Sequence, residues 1–181
     1  MLQKEVVDQS RCPSTLFTPN GMEGVGNQEM TVEVAVRLAA AYAYVLEKPA
    51  RIGISACAHP FSQLLKHGMM TSLCCEGMET VDFGIASETV LQFGMKREAC
   101  QGSIHLLMSR GTRGVVEIIF LDQLGQRVSA SWMNLVKEAF VHQRQVPRTI
   151  DQLGRIYVKH DVQEEYVQSL IEMTRDSLQR Q

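Results

Sequence analysis

Residues 109–114 read Ser-Arg-Gly-Thr-Arg-Gly, which puts two hydroxyls, two guanidiniums and two glycines into six positions. A guanidinium presents a planar fork of N–H donors that fits phosphate oxygens, and backbone N–H groups of a glycine-rich loop can converge on the same anion. Ser109, Arg110, Gly111, Thr112 and Arg113 are therefore candidate anion-binding residues. The same six residues would also make an ordinary solvated hairpin turn, with glycines supplying positive φ and arginines keeping the turn in water. Ser109 has no general base evident in the sequence, so hydrolysis by an activated serine is not the expected chemistry.

A second group, Cys57-Ala58-His59 with Cys74-Cys75, has metal-ligating residue types without ligand spacing. No C-x₂-C pair is present, and adjacent cysteines on a helix face different directions, so these thiols are expected to act as small apolar side chains. No metal is expected in this chain. His105 lies inside a strand-like run and reads as a satisfied, half-buried residue. Ten methionines are compatible with core filling, the commoner use, or with an adaptable apolar surface for a partner.

The elements that must position these residues follow from periodicity. Val32, Val34, Ala35, Leu38, Ala39, Tyr42 and Leu46 recur at helical spacing after Thr31, and Lys48-Pro49 stops the run. Strand-like runs at 51–55, 79–83, 102–108 and 115–121 alternate with helical patterns at 61–75, 87–96 and 130–141. Only residues 109–114 join the last two strands, too few for a parallel crossover, so those strands should be antiparallel neighbours. A final amphipathic helix is predicted over 162–178. Alternation of this kind predicts an α/β chain folded as a three-layer α/β/α sandwich. Its mixed sheet would have about four strands, the last of them antiparallel. The expected organisation is an N-terminal segment over 1–16, the α/β/α domain over 17–145, and a linker with the C-terminal helix over 146–181.

Composition narrows the function classes. With 181 residues, 45% of them hydrophobic, the chain can bury a full core without staples. Eighteen basic against 20 acidic side chains give a net charge of −2, with no electrostatic footprint for nucleic acid or anionic lipid. The longest apolar run, Leu38 to Leu46, is nine residues, against roughly 20 for a membrane helix. The opening Met1-Leu2-Gln3-Lys4-Glu5 lacks an apolar signal-peptide core, and Cys12, Cys57, Cys74, Cys75 and Cys100 show no disulfide framework. A cytoplasmic chain with reduced thiols is expected, engaging neither nucleic acid nor membrane.

Phe17-Thr18-Pro19-Asn20-Gly21-Met22-Glu23-Gly24 resembles the F-G-T-D/S-G-x-R-G with which the family of α-D-phosphohexomutases, the phosphoglucomutases and phosphomannomutases, opens. Ser55-Ala56-Cys57-Ala58-His59 stands at its G-x-D-x-R, and Val81-Asp82-Phe83-Gly84 at its V-x-D-x-G. Residues 102–111 align with G-x-M-I-T-A-S-H-N-P, and Asp122-Gln123-Leu124-Gly125 with the D-x-x-G turn. The resemblance runs from residue 17 to about 143 and implies the family's first domain, with Ser109 at the phosphoserine position.

The catalytic motifs have diverged. Arg110, Gly111 and Thr112 replace the His, Asn and Pro after the serine, Cys57 and His59 replace an Asp and an Arg, and Glu23 replaces an Arg. Phosphoryl transfer relies on cationic clamps, so these changes weaken the expected catalysis. The family's Mg²⁺ loop, D-G-D-x-D-R, has no match, since no two of the six aspartates lie within two residues of each other. The resemblance therefore implies a diverged, non-catalytic mutase-like domain that binds a phosphorylated ligand or a protein partner, with His59 near Ser109 at one sheet edge. One alternative is a phosphoserine-loop subunit of a split phosphohexomutase, an isomerase of carbohydrate metabolism, whose complementary subunit would supply Mg²⁺. The other is a homodimeric structural module. The partners so implied are a sugar phosphate, a second copy, or that complementary mutase subunit.

Overall fold

The computed structural model describes residues 13–47, 49–145 and 148–179. The segment before Pro13, including Cys12, lies outside the described residues, as do Lys48 and Pro147. The strands are β1 (Phe17–Thr18), β2 (Gly21–Val25), β3 (Arg51–Ala56), β4 (Glu79–Ile85), β5 (Gly102–Met108), β6 (Val115–Asp122) and β7 (Ile156–Val158). The helices are α1 (Val32–Leu46), α2 (Pro60–Cys75), α3 (Glu88–Arg97), α4 (Ala130–Val141) and α5 (Val162–Gln179). None of them is long and apolar enough to cross a membrane.

Local chemistry sets the helix starts. Thr31, Ser87 and Ser129 each place a hydroxyl oxygen where it accepts from a backbone N–H three residues on, at Val34, Val90 and Trp132. At the far end of α2, Gly77 takes φ +83°, which ends the helix and turns the chain into β4.

The sheet corrects the sequence-based expectation. It has seven strands, ordered β1-β2-β6-β5-β3-β4-β7, where about four were expected. The last strand, β7, runs parallel to β4, where an antiparallel last strand was expected. The six-residue connection does join antiparallel neighbours, β5 and β6, but β6 is interior and carries β2 on its other side. The additional strands carry weak sequence signals for physical reasons. β1 is two residues long, and β2 contains Gly21 and Gly24, which have no side chain to give a hydrophobic alternation. Gly21 is required there, because a Cβ would overlap the Ile118 carbonyl of β6. β7 is three residues on an edge, with Ile156 and Val158 exposed, and draws its identity from pairing with Thr80–Asp82.

Helices α1, α2 and α4 bury one face of the sheet against Leu38, Tyr42, Leu65, Met69 and Phe140. The other face meets α3 and α5 through Val90, Leu91, Met95 and Val162. Seven methionines, Met22, Met30, Met69, Met70, Met78, Met95 and Met133, are buried, so the high methionine content largely fills core. On α5, Val167, Leu170 and Ile171 remain about half exposed.

Candidate functional site

β3 and β5 lie side by side and parallel, with Ala56 opposite Leu106. From the carboxyl end of β3 the chain departs through α2 toward β4, and from that of β5 it returns toward β6 on the opposite side. Adjacent parallel strands whose connections diverge leave a crevice beyond their carboxyl ends, the usual ligand position in α/β sheets. His59 follows β3 and Ser109 follows β5, and both line a depression of about 440 Å³ at this edge. Its walls include Phe61, Met108 and Arg113, with Gly26 and Gly114 completing the rim.

The loop is pinned at its base and open at its tip. Ser109 N–H donates to Val115 O at 2.8 Å, and Gly26 N–H donates to Gly114 O at 2.8 Å. Gly114, at φ +80°, turns the loop back into β6. A side chain added at Gly111 would meet nothing, so the tip is free of the body. Residues 110–113 are all exposed, but Arg113 lines the depression and Arg110, Gly111 and Thr112 do not. Ser109 is half-buried, and its hydroxyl makes no hydrogen bond among the described residues.

His59 caps α2. Its Nδ1 accepts from Phe61 N–H at 3.2 Å, and Pro60 opens the helix where no N–H is needed. The cap occupies Nδ1, which leaves Nε2 for the depression. The 16-residue helix behind it points its positive end toward the same edge. One guanidinium, one imidazole, a free hydroxyl and a helix N-terminus thus share the crevice, an arrangement suited to holding an anion. Glu23 lies elsewhere, mid-strand in β2 opposite Glu117, beside a smaller recess of about 190 Å³ with Asn20 and Arg127.

The V-x-D-x-G element proves to be a buried charge network that sequence reading did not assemble. Asp82 Oδ1 accepts from Lys66 Nζ at 2.7 Å and from Gly84 N–H at 2.8 Å, while His160 Nε2 lies 3.3 Å from Oδ2. Burial alone would raise the Asp82 pKa, but the hydrogen bonds from Lys66 and Gly84 and the Lys66 charge outweigh it and hold the carboxyl below its ordinary value. The available signal was Lys66 itself, one turn from Ser62, Met69 and Met70 on the buried face of α2. A lysine on such a face calls for a buried acid. Asp122 is likewise structural, its Oδ1 accepting from Leu124 and Gln126 N–H at 2.9 and 3.0 Å around Gly125.

His105 is buried against α3 with Nδ1 2.9 Å from Ser55 Oγ, and burial depresses its pKa. Cys57 is 3.4 Å from Ser62 Oγ, and burial pushes the Cys100 thiol up to about 12. Among the described residues no group of three or more His, Cys, Asp or Glu side chains gathers to hold a metal ion. The donor set here does not fit the Mg²⁺ centre of a phosphohexomutase, which needs clustered oxygens.

Comparison with known proteins agrees with this architecture. The chain is 28% identical over 119 residues to phosphoglucosamine mutase from Pediococcus pentosaceus, covering 62% of this chain and 26% of that protein. It is 21% identical over 159 residues to a phosphoglucomutase/phosphomannomutase from Thermococcus kodakarensis, covering 86% and 35%. The fold superposes on a phosphoglucomutase/phosphomannomutase family protein from Burkholderia thailandensis with a TM-score of 0.73 at 15% identity, over 85% of this chain and 34% of that one. The chain therefore spans between about a quarter and about a third of the length of these relatives. A family model described as phosphoglucomutase/phosphomannomutase, alpha/beta/alpha domain I, matches residues 14–146, and the chain belongs to that family through this domain.

Proposed function

We propose that this domain binds a phosphorylated ligand, a sugar phosphate by its family, at the Ser109 edge, and that it does not complete a mutase cycle with its own residues. The observation that carries this reading is the meeting of Arg113, His59 and Ser109 in one crevice at the N-terminus of α2. The diverged clamps around Ser109 support binding over catalysis.

The two arginines separate this reading from a bland hairpin. Titration with glucose 1-phosphate, followed by calorimetry, should give binding that Arg113→Ala weakens about tenfold or more, the scale of a charge-assisted hydrogen bond. Arg110→Ala should weaken it less than threefold, roughly the small change of an exposed charge. Equal losses in both variants would point to unspecific attraction, and no binding by the parent protein would sink the proposal.

A second reading has one observation in its favour, the unbonded hydroxyl of Ser109 at the family's phosphoserine position. In that reading the chain carries a phosphoryl group for a complementary mutase subunit. Intact mass after incubation with glucose 1,6-bisphosphate and Mg²⁺ tests it. A single added phosphoryl group, absent in Ser109→Ala, supports the carrier role. Unchanged mass excludes it for this chain by itself and leaves the binding domain.

A further inference from the structure

The lining of the Ser109 crevice divides into a polar part and an apolar part. Its polar side chains are His59, Ser109 and Arg113, and the rest is Phe61, Met108, Gly26 and Gly114. Three main-chain donors of these residues are already committed. Gly26 N–H donates to Gly114 O and Ser109 N–H to Val115 O, each at 2.8 Å, and Phe61 N–H donates to His59 Nδ1 at 3.2 Å. An anion in the crevice takes the guanidinium, the imidazole and the hydroxyl, so the remainder of the ligand lies against Phe61 and Met108. The hydroxyls of a hexose that turned to this wall would leave water and gain no side-chain partner, which is costly.

Phe61 gives that wall an aromatic ring. It follows Pro60 in the first turn of α2, and it is half-buried, packed with Met108 against the main core. Gly26 leaves the ring uncovered, since a Cβ there would stand 3.1 Å from its Cδ1 and Cε1. The volume of about 440 Å³ falls within the roughly 300–1,000 Å³ of small-molecule sites. A nucleobase stacks on such a ring whatever its identity, because every base has a π-face. The depression is open, so the polar edge of a stacked base stays in water. Resting on the reading that the crevice holds a phosphoryl group, we infer that its ligand is a nucleoside monophosphate. The phosphate meets Arg113 and His59 at the N-terminus of α2, and the base lies on Phe61. Such a molecule is still a sugar phosphate, but its base, rather than its sugar hydroxyls, supplies the selectivity.

Adenosine 5′-monophosphate and ribose 5-phosphate share the phosphate and the ribose, so comparing them isolates the base. Calorimetric titration of the parent protein should give adenosine monophosphate about fivefold tighter binding or more, the lower end of base stacking on an aromatic side chain. Phe61→Leu keeps apolar bulk and removes the ring, and its thermal unfolding midpoint checks that it is folded. It should cut the advantage to about twofold or less and leave ribose 5-phosphate unchanged. Arg113→Ala should weaken both ligands alike, since both carry the phosphate. Equal affinity for the two ligands in the parent, or an advantage that survives Phe61→Leu, would overturn the inference and leave the phosphate site standing. Binding of neither ligand by the parent would remove the phosphate reading, and this inference with it.

Discussion

Lys66→Met should destabilise the fold by about 3–5 kcal/mol, the usual consequence of removing one partner of a buried ion pair. Lys66 is 2% and Asp82 5% exposed, so the abandoned carboxylate would keep only the Gly84 N–H and the half-open contact with His160. Asp82 does more than neutralise Lys66. It bends the chain at Gly84, φ +68°, and so aims the loop into α3. Lys66→Met with Asp82→Asn should recover most of the loss, because the amide oxygen still accepts from Gly84 without requiring a cation. Urea unfolding measures both variants.

The pH dependence has a definite sign. The folded Asp82 pKa is held below the ordinary value, so its contribution is fully present above the unfolded carboxylate value, about 4, and is lost as pH falls through the folded one. The difference between parent and Lys66→Met should therefore shrink as pH drops below about 4. A difference that stays constant down to pH 2 would mean that Lys66 acts by packing rather than charge.

The same network shows what a sequence can and cannot carry. Helices with strong periods and hydroxyl caps, such as 130–141 after Ser129, are legible because each residue speaks for itself. So is the antiparallel β5/β6 pair, which follows from a connection of six residues. β2 and β7 are not, since their strand state comes from partners distant in sequence: Ile119 against Gly21, and Thr80 against Ile156. The Ser109 loop was visible as a composition. The resemblance already set His59 near Ser109, and the parallel register of β3 and β5 is what brings it there, while only the fold separates Arg113, which lines the crevice, from Arg110, which does not. Lys66 and Asp82 are 16 residues apart on different elements, and nothing local links them.

Phe83→Ala should cost about 3–5 kcal/mol, at the upper end of that range for aromatic truncation, because the hole cannot close. Phe83 is 1% exposed, and its ring is clasped by two glycines. A Cβ at Gly53 of β3 would stand 2.8 Å from the ring, and one at Gly94 of α3 only 2.7 Å. Neither glycine has a side chain that could swing into the vacated space, and the third neighbour, Val162 of α5, is already buried. This clasp carries α3 and α5 on the face of β3 opposite α2, the helix whose N-terminus forms the Ser109 edge, so its loss should loosen the sheet beneath the crevice. Gly53→Ala supplies the decisive control. In the parent it overpacks the ring and should destabilise by about 1–3 kcal/mol. In the Phe83→Ala background the same methyl enters empty space, so its effect should fall to zero or become stabilising. Chemical denaturation of the four proteins of this cycle gives the coupling. Additive losses would show that the ring and Gly53 do not share the space the structure assigns to them.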